Sequence, residues 1–320
     1  MPISDSFILN NWLPRRPTIL RQLIDKATLE KTGIDAVLGA CIEPVKAVWY
    51  SGNEARDRAQ RMLLPRVHEA PALYRRICAL SGRQILYFTG LAKVASGFEA
   101  LRQQLQFGYQ WRSFEQFAAL ATPGSIIETH ADLIDSLIIQ LEGTRHWKVW
   151  DIDKDVGRQV QLNNSDREYR MSGAGDTIID TELSAGDVLY IPALYPHHAL
   201  LAGDTTSALS LSVGWAALTP IRILRAAMVN DCRSELDEMF ERAPEPYLAL
   251  IPDPEPGKDP LPHIADCVVA MLDPAQRMRI DRTALMHRLQ DVNLGSLAGV
   301  TAPGSLSQWK RPTAFAASVA

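Results

Sequence analysis

Between Phe117 and Trp215 the chain is written in short apolar runs separated by turn residues, and this texture limits its fold more than any other feature. The runs LIIQL, HWKVWDI, DTIIDTEL, DVLYIP and ALSLSVGW are rich in β-branched and aromatic residues, with Gly143, Gly175, Gly186 and Gly203 between and around them. Segments of this length bounded by glycine turns read as strands, and many of them at short spacing predict a sandwich or barrel. In ALSLSVGW, Leu209, Leu211 and Val213 alternate with Ser210, Ser212 and Gly214. One face of that strand is therefore apolar and the other small and polar, which leaves room for a ligand on the second. The segment EGTR between LIIQL and HWKVW reads as a hairpin loop that places Arg145 at a strand start.

The flanks have a different period. Residues 1–115 read as a mainly helical lead-in, with helical apolar spacing at Ile19, Leu20, Leu23 and Ile24 and again at Phe98, Leu101 and Leu105. Residues 116–217 form the β core. Residues 218–320 read as a helical carboxy-terminal module, built from RILRAAMVNDCRSELDEMF and ADCVVAMLDPAQRMRIDRTALMHRLQDV around the proline-rich connector PEPYLALIPDPEPGKDPLP. The apolar stripe of the first of these helices predicts self-association, giving a homodimer.

Composition removes several function classes. With 47% hydrophobic and 22% charged residues the chain is a globular protein and not a disordered one. A net charge of -4 provides no global basic field for nucleic acid. The 4 cysteines, Cys41, Cys78, Cys232 and Cys267, form no CxxC pair, so reduced thiols are expected and a zinc knuckle is not. No run approaches the ~18 apolar residues of a membrane span, and MPISDSFILNNW lacks the pattern of a secretion signal, so the expected location is the cytoplasm.

The sharpest chemical feature is His130-Ala131-Asp132, followed several strands later by His197-His198 in GDVLYIPALYPHH. Ligands at i and i+2 of a strand share a face, so one segment can offer an imidazole and a carboxylate to one metal ion. A histidine from the later strand completes a facial triad, and alternation allows only one of His197 and His198 to face inward. Two histidines and a carboxylate with open adjacent positions suit non-haem iron(II), whereas zinc is more often held tetrahedrally. His68, His146, His263 and His287 lie in surroundings that suggest packing or solvent contact.

The run ETHADLIDSLIIQLEGTRHWKVWD resembles the metal-binding strand and following hairpin of the JmjC/cupin family of 2-oxoglutarate oxygenases, especially the ribosomal oxygenase branch. GDVLYIPALYPHH resembles that family's later metal-binding strand, with the last ligand falling on His197, and FILNNWLPRRP resembles its tryptophan-and-proline lead-in. The resemblance implies a double-stranded β-helix, or jelly roll, with iron(II) held by His130, Asp132 and His197. It also implies that Arg145 binds the distal carboxylate of 2-oxoglutarate, for which a planar guanidinium is well shaped, and that Ser212 assists it. The implied reaction is hydroxylation of a side chain of a protein or peptide, a ribosomal protein being the substrate in that branch. A small-molecule or amino-acid hydroxylase of the same class, and a metal-dependent cupin that uses no 2-oxoglutarate, remain as alternatives.

Overall fold

The computed structural model describes residues 3–12, 14–40, 46–50, 83–105, 108–109, 114–132, 134–152, 161–162, 168–170, 175–201, 207–217, 219–220, 223–224, 250–252, 259–272, 282–291 and 309–310. In chain order the strands begin with β1 (Thr18–Leu20), β2 (Lys46–Tyr50), β3 (Arg83–Thr89), β4 (Gly108–Tyr109) and β5 (Phe114–Ala121). Next come β6 (Ile126–Asp132), β7 (Ile134–Glu142), β8 (Arg145–Trp150), β9 (Gln161–Leu162) and β10 (Glu168–Arg170). They are followed by β11 (Thr177–Leu183), β12 (Val188–Ile191), β13 (His197–Leu200), β14 (Ala208–Ala216) and β15 (Trp309–Lys310). The helices are α1 (Asp5–Phe7), α2 (Lys26–Glu30), α3 (Ile34–Gly39), α4 (Ser96–Leu105), α5 (Pro260–Met271) and α6 (Arg282–Asp291).

Seven strands pair in the order β1-β12-β7-β14-β5-β3-β2 and six in the order β11-β8-β13-β6-β10-β9, while β4 and β15 make a separate pair. The two large sheets face each other. Ile138, Leu189 and Ile191 from the first pack in one cluster with Trp147, Val149, Leu183 and Ala199 from the second. This is the antiparallel jelly roll that the strand texture and the family resemblance predicted.

Strand alternation gives the seven-stranded sheet a second apolar face. Leu137, Ile139 and Leu141 of β7, Val188 and Tyr190 of β12, and Leu209, Leu211 and Val213 of β14 pack there against Phe7, Trp12, Ile34, Leu38, Phe98, Leu101 and Leu105. The last three are spaced so that α4 presents them as one stripe, as its sequence predicted. Trp12 sits between Tyr190 and Trp215, with ring centres at 5.1 and 4.9 Å. Aromatic contacts of this kind add about 0.5–1.5 kcal/mol beyond area burial, so they fix where the lead-in lies on the sheet.

Two local expectations change. The lead-in contains the expected helices but also contributes β1, β2 and β3 to the seven-stranded sheet. Ile19 and Leu20, which fit a helical spacing, lie in β1 opposite Leu189 and Val188. Asp187 enforces this pairing: it accepts from the Gln22 backbone N–H at 3.0 Å and from Arg21 at 2.7 Å, so the chain is held extended.

The EGTR segment is a tight turn but not a hairpin. Strand β7 has β12 and β14 as neighbours and β8 has β11 and β13, so the turn at Gly143 and Thr144 carries the chain from one sheet to the other. Gly143 has φ +69, and a Cβ there would lie 2.3 Å from the Ser207 carbonyl oxygen, so only glycine fits. Arg145 does open a strand, as expected.

In the carboxy-terminal third, ADCVVAMLDPAQRMRIDRTALMHRLQDV is helical where described, as α5 and α6, which are joined by an Arg282–Asp266 ion pair. Of RILRAAMVNDCRSELDEMF only Ile223 and Leu224 are described, both helical; the rest, and most of the proline-rich connector, lie outside the described residues. Cys267 is a free thiol, and Cys41, Cys78 and Cys232 lie outside the described residues.

Candidate metal centre

His130 and Asp132 stand on β6 and His197 opens β13, and the two strands pair with His197 opposite His130. Two residues further along β13, Ala199 lies opposite Ile127, three residues back on β6. Strand β6 therefore carries one extra residue, a β-bulge. Without it, Ile127 and His130 would point to opposite faces; with it, Ile127 packs against the interior cluster and His130 also looks inward. From His130 to Asp132 the ordinary period of two resumes, so the imidazole and the carboxylate share the interior face.

The three side chains converge. Asp132 Oδ1 lies 3.8 Å from His130 Nε2, and Oδ2 lies 3.7 Å from His197 Nε2. One potential ligand atom from each residue lies within 4.8 Å of the other two. Ligands bound to one ion at about 2.1 Å stand at most about 4.2 Å apart, so both carboxylate–imidazole spacings suit a shared metal ion.

His197 is 5% exposed, and its Nδ1 lies 2.9 Å from the Tyr195 carbonyl oxygen. A carbonyl only accepts, so Nδ1 carries the proton and Nε2 keeps the lone pair that faces Asp132. Burial, and then the neighbouring His130, push the His197 pKa down to about 3, which holds the ring in the neutral form that a metal needs. His198 points the other way. It is half-buried against Trp150, edge to face at 6.4 Å, and burial followed by the nearby His146 lowers its basicity. His146 is also on that outer side, 2.8 Å from Asp180.

Arg145, Trp147 and Val149 lie on the buried side of β8, and Val149 is opposite His197. The Trp147 ring is 6.2 Å from the His197 ring, and the Arg145 guanidinium carbon is 5.6 Å from the Trp147 ring. Arg145 is 1% exposed. Its charge is thus carried into the barrel, on the same face as His130, Asp132 and His197. Ser212 lies on the polar face of β14, opposite in sense to the helix-covered Leu211 and Val213, as the alternation predicted.

Among the described residues, Ser212 Oγ, Trp147 Nε1 and Gln140 Oε1 are buried with no hydrogen-bond partner. An unmet buried polar group costs about 1–3 kcal/mol, so such groups fit a barrel whose polar ligand completes them. Trp147 and Gln140 were not singled out from the sequence. Trp147 was detectable as the residue two beyond Arg145, and Gln140 as the lone amide in the apolar run LIIQL.

Residues 100–221 match the JmjC domain family. The Escherichia coli ribosomal protein uL16 3-hydroxylase is 31% identical over 109 residues, 33% of this chain and 26% of that protein. The Drosophila sechellia bifunctional lysine-specific demethylase and histidyl-hydroxylase NO66 is 37% identical over 71 residues, 22% of this chain and 10% of that protein. The match thus spans about a quarter or less of these relatives' length. In three dimensions the X-ray structure of Escherichia coli ycfD covers 90% of this chain and 71% of its own, with a TM-score of 0.52 at 20% identity, which shows a common fold. The segment that folds around His130, Asp132 and His197 thus matches the JmjC domain family, and it is similar in sequence to part of a ribosomal protein hydroxylase.

Proposed function

We propose that this protein is an iron(II)- and 2-oxoglutarate-dependent oxygenase that hydroxylates a side chain of a protein or peptide. The observation that carries the reading is the convergence of His130, Asp132 and His197 on one point of the barrel interior. Two imidazoles and one carboxylate fit iron(II) in kind and number. Bound there, iron(II) would activate dioxygen, one atom of which would be consumed in the oxidative decarboxylation of 2-oxoglutarate to succinate and carbon dioxide and the other inserted into a substrate C–H bond.

The chain's own part is to bind and orient. Asp132 supplies the negative charge of the site, and the Tyr195 carbonyl fixes the ring of His197. Arg145 would receive the distal carboxylate of 2-oxoglutarate, and the unmet Ser212 hydroxyl would share it. The packed interior cluster of Ile138, Leu189, Ile191 and Val149 keeps water away from that ion pair, which strengthens it. No side chain is required as general base.

The relatives' activities, on a ribosomal protein in one and on histidyl side chains in the other, support a ribosomal protein side chain as the substrate of this chain. A cytoplasmic location accords with such a substrate, and among the described residues no helix is long and apolar enough to cross a membrane. Residues 116–217 would form the catalytic unit, with 218–320 as a helical module that joins two copies; light scattering on the full chain and on a version ending at Ala217 tests the dimer. The function itself is tested by anaerobic titration with iron(II) and then 2-oxoglutarate, followed by mass spectrometry of ribosomal proteins after exposure to oxygen. A visible charge-transfer band and a +16 Da product are expected. Metal binding without the band would indicate a cupin that uses no 2-oxoglutarate, and a band with no protein product would move the substrate to small molecules.

A further inference from the structure

The turn between β12 and β13, which delivers His197, is tied to the corner between β6 and β7, which delivers Asp132. Leu194 N–H donates to the Asp132 carbonyl oxygen at 2.8 Å. Ala193 N–H donates to Asp135 Oδ1 at 2.8 Å, and the Arg15 guanidinium donates to the same oxygen at 2.5 Å. At the far end of the same turn, Tyr195 offers its carbonyl to His197 Nδ1. A continuous path of hydrogen bonds and backbone thus runs from Arg15, through the Asp135 carboxylate and the turn, to the imidazole ring.

Asp135 is 1% exposed, and a carboxylate so buried persists only where charge and hydrogen bonds compensate it. The compensating cation comes from 120 residues away, on the lead-in segment that Trp12 docks between Tyr190 and Trp215. Two residues of the path are conformationally strained, Arg15 at its start and Leu194 in the turn: they have φ 55 and φ 72, left-handed values that a side-chain-bearing residue rarely adopts. Such strain is kept where surrounding contacts over-determine it, and here it accompanies the turn that presents a metal ligand.

We infer that Asp135 and Arg15 are positioning residues of the metal centre, holding the 192–196 turn so that His197 meets Asp132 at the right height and rotation. Neither belongs to the triad. The inference rests on the metal-centre reading above. A merely structural role would lower the melting temperature and leave the folded protein's metal affinity unchanged; a positioning role lowers the affinity of protein that is still folded.

The test uses the full chain and cobalt(II), read by calorimetry and by the visible ligand-field spectrum, at a temperature where circular dichroism shows every variant folded. Asp135→Ala is expected to weaken cobalt binding by about 10–100-fold, the usual effect of losing an outer partner of a metal ligand. Arg15→Met is expected to weaken it severalfold and to alter the spectrum, with Arg15→Lys restoring most of the affinity. In the double variant Arg15→Met/Asp135→Ala the affinity is expected to match Asp135→Ala alone, because Arg15 acts through Asp135. Wild-type affinity and spectrum in folded Asp135→Ala and Asp135→Asn, whatever their melting temperatures, would overturn the inference. Where Asp135→Ala does not fold, wild-type affinity in Arg15→Met overturns it instead. Absence of cobalt binding by the wild type would sink the metal-centre reading itself.

Discussion

His197 lies directly opposite His130 across β13 and β6, and their ring centres are 4.3 Å apart. That proximity depends on the extra residue in β6, because only with it do His130 and the interior residue Ile127 share a face. The bulge thus joins an ordinary apolar barrel wall to a polar site on the same strand.

Asp132 is the anionic member of the triad, and its replacement tests the assignment most directly. Asp132→Ala is expected to abolish iron-dependent succinate formation and to reduce metal affinity by more than the 10–100-fold typical of outer-shell losses, with the far-UV spectrum unchanged. Calorimetry with manganese(II) and circular dichroism supply the two readings. Undiminished turnover at limiting iron would exclude Asp132 as a ligand.

Neighbouring histidines should differ sharply. His197→Ala is expected to lose metal binding, while His198→Ala, whose ring lies against Trp150 on the outer side, should keep it and lose no more than about 1 kcal/mol of stability. Metal affinity measured for both variants decides the register, and the reverse order would move the ligand by one residue.

Arg145 separates a 2-oxoglutarate enzyme from other cupins. Charge-assisted bonds contribute about 1.5–3 kcal/mol each, so Arg145→Ala should weaken cosubstrate binding by at least about tenfold. Arg145→Lys should keep part of that affinity, since the charge stays and the planar fork is lost. Calorimetry in the presence of manganese(II) compares the three proteins, and metal affinity itself should not change.

Asp187 gives the fold an acid-sensitive anchor. Burial alone would push its pKa up, but the Gln22 and Ser184 backbone N–H groups and the Arg21 side chain more than offset this and hold it below the usual carboxylate value. A carboxyl lowered in the folded state adds stability above its unfolded pKa, and that stability is lost as the pH falls through the folded one. Asp187→Asn should therefore lower the stability by about 1–3 kcal/mol at neutral pH, with the gap to wild type closing below about pH 4. Urea midpoints of the two proteins across that range provide the measurement.

The sequence disclosed those parts of the site that depend on local period. His130 and Asp132 are two apart on a strand, and the alternation in ALSLSVGW separated the polar face of Ser212 from the apolar face of Leu211 before any fold was known. Alternation alone could not choose between His197 and His198, since parity needs a register and the register is set by pairing with β6 and β8. In the sequence alone the EGTR turn resembles a hairpin for the same reason: sheet membership is decided by pairing with β12 and β14 on one side and β11 and β13 on the other. Asp135 gave no signal, because its partners Arg15 and Ala193 come from remote segments.

Strand β14 has one further consequence. Its odd-numbered residues, Leu209, Leu211, Val213 and Trp215, are packed under the helices, while Ser210 and Ser212 line the barrel. A complete mutational scan of this strand should therefore give two interleaved records: odd positions read out as soluble yield and melting temperature, even positions as turnover in protein that is still abundant. A strand that serves only as scaffold would show a single record.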